Sequence, residues 1–178
     1  MKALILSADD FEDLELIYPY YRLKEEGWEI TVAASERGTI RGKHGYPVHV
    51  DAKYSDVDPK EYDLLLLPGG TAPEQVRLHK EALDIAKSFF QDDKYVAAIC
   101  HGPQILASAN LLKGKRATGW KGVKDDIYNA GANYIDAEVV VDGNLVTSRM
   151  PDDLPAFMRE VTKIARELAR ERGEKLVA

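Results

Sequence analysis

Cys100 is the one cysteine in this chain, and it stands in Ala97-Ala98-Ile99-Cys100-His101-Gly102-Pro103. An apolar run over 95–99 stops at the thiol, and a helical pattern over 103–112 begins just past it. A nucleophile on a tight strand-to-helix turn needs small residues two before and two after it, because the chain folds back on itself there. Ala98 and Gly102 fill those positions. A thiol at a helix start also meets unpaired N–H groups and the positive end of the helix dipole. Both favour thiolate, the reactive form of cysteine. The segment predicts a cysteine-nucleophile enzyme.

His101 directly follows the thiol, and histidine is the usual base for such a nucleophile. At a sharp elbow its side chain can swing over the same cleft. Gly69-Gly70 ends another apolar run. Glycine there lets backbone N–H groups face a ligand, and with the His101 N–H it would form an oxyanion hole. Carboxyls crowd the segment Asp9, Asp10, Glu12, Asp13 and Glu15. Spacing alone does not choose among Glu12, Glu74 and Asp126 as the acid that serves the site. His44, His49 and His79 read as surface residues. No metal-ligand spacing, dinucleotide fingerprint or Walker-type phosphate loop is present, so neither a metal nor a cofactor is predicted.

The elements that must position these groups alternate. Residues 3–7 read as a buried strand, 15–26 as a helix with Pro19 near its start, and 29–33 as a second strand. Residues 39–50, punctuated by Gly42 and Gly45, read as an irregular hairpin. The apolar run 64–67 suits a central strand covered on both faces. A helix over 80–90, the strand 95–99 and the Cys100 turn follow, with another strand at 116–119. Residues 137–141 and 145–148 flank Asp142-Gly143 as a hairpin. Asp152 or Asp153 caps a last helix bearing Phe157, Val161, Ile164 and Leu168 on one face. This order predicts an α/β fold: a three-layer, doubly wound, mostly parallel sheet with helices on both faces, plus a small β-hairpin. Ligands of such sheets sit at the carboxyl ends of the strands. The segment 9–13, the Gly69-Gly70 break and the Cys100 turn all fall there.

Residues 1–168 read as one domain, and 169–178 as a charged C-terminal extension. A formal charge of −6 disfavours nucleic acid or an anionic membrane as partner. A lone cysteine fits a reducing compartment, no secretory signal is read, and no apolar stretch reaches the ~20 residues of a membrane span. The chain is expected to be cytoplasmic.

The motifs Ala98-Ile99-Cys100-His101-Gly102-Pro103-Gln104, Leu67-Pro68-Gly69-Gly70 with Pro73-Glu74, and Phe11-Glu12-Asp13 with Glu15-Leu16 resemble those of the PfpI-type intracellular protease family. So do Lys43-His44-Gly45, Lys124-Asp125-Asp126 and the segment 136–143. The resemblance runs over about 1–168 and implies the glutamine-amidotransferase-like branch of flavodoxin-like folds. It implies Cys100 as nucleophile, Glu12 as the acid hydrogen-bonded to its sulfur, and His101 as base. It implies the Gly70 and His101 amides as oxyanion hole, with Glu74 reaching His101 from a neighbouring subunit of a homotrimer or homohexamer. The activities it implies are an ATP-independent peptidase, a protein deglycase acting on glycated amines, or a cofactor-free glyoxalase acting on methylglyoxal. An oxidisable Cys100 in a redox-sensing stress protein or chaperone is the non-enzymatic alternative. Trp120 stands where relatives are expected to carry tyrosine, and with Gly69 it is assigned to the substrate pocket.

Overall fold

The computed structural model describes residues 1–173. In chain order the elements are β1 (Lys2–Leu6), α1 (Asp13–Glu25), β2 (Glu29–Ala34), β3 (Gly38–Arg41), β4 (Pro47–Val50), β5 (Ala52–Lys53) and β6 (Leu64–Leu67). There follow α2 (Ala72–Val76), α3 (Lys80–Gln91), β7 (Tyr95–Ile99), α4 (Pro103–Ser108), β8 (Arg116–Ala117) and α5 (Lys124–Asn129). The chain continues with β9 (Asn133–Tyr134), β10 (Val140–Asp142), β11 (Leu145–Ser148) and α6 (Leu154–Glu171).

The main sheet has the order β10-β11-β7-β6-β1-β2-β5. Every neighbouring pair is parallel except the β10–β11 hairpin at one edge. Helices cover both faces: α1 packs with α6, while α4 packs with α2, α3 and α5. The four leucines of β6 are buried on both faces of the sheet. Burying each is worth roughly 1.5–3 kcal/mol, so the central strand is held by its side chains as well as its ladder. β3 and β4 form a separate antiparallel hairpin, as the glycine-punctuated segment predicts.

Register decides where the site forms. Ile5 pairs with Leu66, and Leu67 pairs with Ala98. β1, β6 and β7 therefore end level, and the chain leaves all three at the same edge of the sheet. The loop after β1 is then sewn to its neighbours by main chain. Phe11 bridges both Gly70 and Gly42. The Glu12 N–H donates to the Gly69 carbonyl at 3.1 Å, and the Lys43 N–H to the Phe11 carbonyl at 2.9 Å.

Several boundaries differ from the sequence reading. α1 starts at Asp13, two residues earlier than expected, which puts Pro19 in its interior. The missing proline N–H leaves the Glu15 carbonyl without its helical donor. The strand expected at 116–119 is only β8, paired with the equally short β9. Asp153 precedes α6 without capping it by a side-chain bond. Its carboxylate instead takes the Arg149 N–H at 3.0 Å and the guanidinium at 2.9 Å. α6 buries Phe157, Val161 and Ile164 as expected. It also runs through residue 168 without a break, and Ala169 is buried, so the charged segment begins as part of the helix. Residues 174–178 of that segment lie outside the described part.

Candidate active site

Cys100 has φ of 62°, a left-handed conformation that a non-glycine residue adopts only when its surroundings hold it there. Three main-chain bonds hold it. Its N–H donates to the Ser148 carbonyl at 3.0 Å, its carbonyl accepts from Trp120 at 2.9 Å, and Gly102 N–H donates to Ile99 at 2.9 Å. A Cβ at Gly102 would lie 2.3 Å from the Leu67 carbonyl oxygen, which is why the residue two past the thiol must be small. The elbow expected from Ala98 and Gly102 is thus present.

His101 shares the cleft. Its Nδ1 lies 3.2 Å from Cys100 Sγ. Burial lowers its pKa, and the nearby Glu74 carboxylate opposes that shift. The Glu74 of the same chain therefore stands close enough to act on His101, while its side chain remains exposed. The N–H groups of His101 and Gly70 both face the Cys100 sulfur and favour its ionised form. Gly70 reaches that position with φ of 77°, and a Cβ there would lie 2.3 Å from the Asp10 carbonyl oxygen. Only glycine lets the two loops approach so closely.

The acid beside the sulfur is Glu15, not Glu12. Glu15 is fully buried, and its Oε1 accepts the Gly69 N–H at 2.9 Å. The Cys100 thiol lies against the same carboxyl, and Oε2 has no partner at ordinary hydrogen-bond distance, which leaves it as the oxygen to carry a proton. Glu12 turns the other way. It caps α1, with Oε1 3.4 Å from the Leu14 N–H, and its Oε2 pairs with Lys43 Nζ at 2.5 Å. The early start of α1 is the cause: with Asp13 as first helical residue, Glu15 faces the sheet and Glu12 is left at the rim.

Asp126 is also placed away from the thiol. It binds Arg77 at 3.1 Å and Gln104 at 3.2 Å, a network that joins α2, α4 and α5. The Arg77 bond holds its carboxyl below the usual range.

Electrostatically the site departs from the expectation of a helix-stabilised thiolate. Burial, then the Glu15 carboxyl, push the Cys100 thiol up to about 12, against the His101 and Gly70 amides and Lys43. Burial likewise raises Glu15 to about 8. α4 spans only six residues, and the N–H groups that reach the sulfur come from the elbow and the Gly70 loop. Two negative charges cannot be held side by side in this buried space, so thiol and carboxyl titrate as a unit with one shared proton after the first ionisation. With the proton on Glu15, the carboxyl can donate to a thiolate that the Gly70 and His101 amides also favour.

Trp120 joins the elbow through its N–H bond to Cys100. It lines a cleft of about 280 Å³ with Tyr134, Met150 and Arg149. Gly69 lies at the other side of the thiol, against Glu15 and the Cys100 Cβ. Of the remaining histidines, His44 is exposed at the rim, 4.0 Å from Glu12, and His79 packs at a tilt against Tyr54. Ligand atoms of Glu12, Asp13 and His44 cluster within 4.8 Å, a grouping that sequence spacing did not reveal. Lys43 already occupies Glu12, and the two Asp13 oxygens accept the His44 and Tyr46 N–H groups at 3.0 and 3.1 Å.

Residues 1–164 match the DJ-1/PfpI family. A deglycase from Pyrococcus abyssi is 61% identical over 92% of this chain and 99% of its own length. Deglycase PfpI from Pyrococcus furiosus is 58% identical over 92% of this chain and 99% of its own length. Among solved structures, Drosophila melanogaster DJ-1beta superposes with a TM-score of 0.86 at 26% identity, over 98% of each chain. With a strained cysteine elbow at the carboxyl edge of a parallel sheet, and relatives that match it nearly end to end, the chain belongs to the DJ-1/PfpI family.

Proposed function

We propose that this protein is a cysteine-dependent deglycase of the PfpI type, acting on glycated amines, with Cys100 as nucleophile. The observation that carries the reading is the strained Cys100 elbow set against the Glu15 carboxyl, with His101 Nδ1 3.2 Å from Sγ. Two deglycases at about 60% identity support it. Once the pair has lost its first proton, passing the remaining one from sulfur to the Glu15 carboxylate gives a thiolate under a carboxylic acid. His101 passes a proton to the amine of a 2-oxoaldehyde aminocarbinol, its bond to carbon breaks, and that carbon becomes an aldehyde. The thiolate attacks the aldehyde carbon, and the developing oxyanion takes the Gly70 and His101 amides. A proton then moves from that carbon to its neighbour through an enediol, so the sulfur-bearing carbon becomes a thioester as the adjacent carbonyl becomes an alcohol. Water attacks the thioester, the hydroxy acid leaves, and the thiol regains its proton. Gly69 and Trp120 border the pocket, and no cofactor enters the scheme.

The same thiolate would serve a peptide bond or methylglyoxal. The test is a side-by-side measurement of a glycated amino acid, methylglyoxal and a fluorogenic peptide on wild type, Cys100→Ala and His101→Ala. The expected result is fastest turnover of the glycated amine and loss of every activity in Cys100→Ala. Retained turnover in that variant overturns the reading. A function that survives His101→Ala but not Cys100→Ala favours the redox-sensing alternative. Faster turnover of methylglyoxal or of the peptide assigns glyoxalase or peptidase activity instead.

The family resemblance also supports assembly into a homotrimer or homohexamer in the cytoplasm, with Glu74 completing the site of a neighbour. Mixing inactive Cys100→Ala with inactive Glu74→Ala subunits tests this. Activity returns if Glu74 acts across the interface, and stays absent if Glu74 serves its own His101.

A further inference from the structure

The β3–β4 hairpin is not part of the main sheet, yet main-chain bonds tie it to the site. The Asp10 N–H donates to the Arg41 carbonyl at 2.8 Å, and the Lys43 N–H to Phe11 at 2.9 Å. The Asp13 carboxylate accepts the His44 and Tyr46 N–H groups. At Gly42 an added Cβ would lie 2.2 Å from the Asp13 carboxylate, so the hairpin tip sits hard against the start of α1. The one cation at this tip is Lys43, whose Nζ is held by Glu12 Oε2 at 2.5 Å. The Glu12 carboxylate is nearly buried, and its own main chain bonds Gly69, the residue wedged between Glu15 and Cys100.

We propose that Lys43 is a positioning residue for the nucleophile: the hairpin fixes its ammonium at the rim of the Cys100 pocket, as counter-charge to the single negative charge that Cys100 and Glu15 share. The charged groups around that pair are Glu12, Asp13 and Glu15 from the first loop and helix, Lys43 and His44 from the hairpin, Glu74 from α2 and His101 from the elbow. The carboxylates among them disfavour a second negative charge. Lys43 is the lone permanent cation of the set, and it acts on Cys100, Glu15 and His101 alike. Glu12 keeps it protonated by a direct hydrogen bond. Glu12, which the family resemblance implied at the sulfur, thus acts at one remove, by anchoring the cation.

The inference rests on Cys100 as the reactive thiol, and not on which substrate is turned over. Iodoacetamide alkylates the thiolate with loss of iodide, so the pH dependence of labelling reads the ionisation of the pair directly. Labelling rates across pH are compared for wild type, Lys43→Met, Lys43→Gln and Lys43→Arg. The curve is expected to move to higher pH by about one unit in Lys43→Met and Lys43→Gln, and to stay near wild type in Lys43→Arg. A wild-type curve in either neutral variant overturns the proposal, and so does an equal shift in Lys43→Arg. The Lys43 N–H bond to Phe11 survives each substitution, and two neutral variants guard against a local fault in one of them. A Cys100→Ala enzyme that still turned over substrate would refute the functional reading and leave the labelling result intact.

Discussion

Glu15 and Cys100 face each other across Gly69: a Cβ on that glycine would lie 2.5 Å from Glu15 Oε1 and 2.8 Å from the Cys100 Cβ. The carboxyl and the thiol are thus as close as a glycine between them allows. This separates two glutamates that the sequence places three residues apart. Glu15→Gln removes the shared proton and is expected to lower kcat by about 100-fold or more, in the range of a lost proton-transfer partner. Glu12→Gln leaves the pair intact and is expected to cost at least about tenfold less. Steady-state rates of the two variants check this, and equal losses would contradict the geometry.

The buried carboxyl also predicts how stability responds to pH. Folding raises Glu15 from 4.5 to about 8, chiefly by burial. The folded state holds this proton more tightly than the unfolded chain. The stability tied to it is complete below the unfolded value and is lost as pH rises through the folded one. Glu15→Gln carries no such proton. Its denaturation midpoint should gain on wild type between about pH 5 and about pH 9. A difference that stays constant over that range would show that the carboxyl is ionised in the folded protein.

Gly69→Ala tests the wedge itself. The added methyl meets Glu15 and the thiol inside the cleft, with the His101 nitrogen 3.0 Å away. Overpacking of this kind costs about 1–3 kcal/mol. The variant should fold with a modest loss of stability and lose most of its turnover, because the clash falls on the reacting group. Labelling of Cys100 should slow in parallel. Unchanged labelling would mean that the loop moves aside freely.

Away from the sulfur, Arg77 joins three helices. Its Nε donates to Ser108 at 2.7 Å and its terminal nitrogen to Asp126 at 3.1 Å. The residue directly follows α2, the short helix that carries Glu74. Arg77→Met should cost about 1.5–3 kcal/mol, typical of hydrogen bonds to charged groups. It should also lower the His101 pKa further as Glu74 is released, which a histidine proton titration by NMR would detect. Stability loss without any change at His101 would assign the network to folding alone.

The elbow was readable because sterics dictate it: a thiol between Ala98 and Gly102 has few other conformations to adopt. The alternation of strands and helices was readable from hydrophobic runs, and β6 is as apolar as a strand covered on both faces must be. The identity of the acid was not. Five carboxyls crowd residues 9–15, and which of them turns inward depends on the residue at which α1 begins. The start at Asp13 decides it, and element boundaries are where periodicity is weakest. The thiol's burial is hidden from the sequence for a related reason. A local motif shows the dipole and the amides, but the burial that outweighs them comes from the whole fold. The role of Lys43 was hidden too, since a hairpin outside the main sheet gives no sequence signal of what it leans on.

The amide of Cys100 hangs on the carbonyl of Ser148, the last residue of β11, which pairs with β7 alongside it. That bond helps to hold the left-handed conformation that aims the sulfur. During synthesis the thiol leaves the ribosome well before its partner strand does. Until residue 148 has emerged and docked, Cys100 is an ordinary cysteine on an unfinished chain. The protein therefore acquires its reactivity only after β11 has been made, and a product truncated before β11 carries the same motif in an unarmed state.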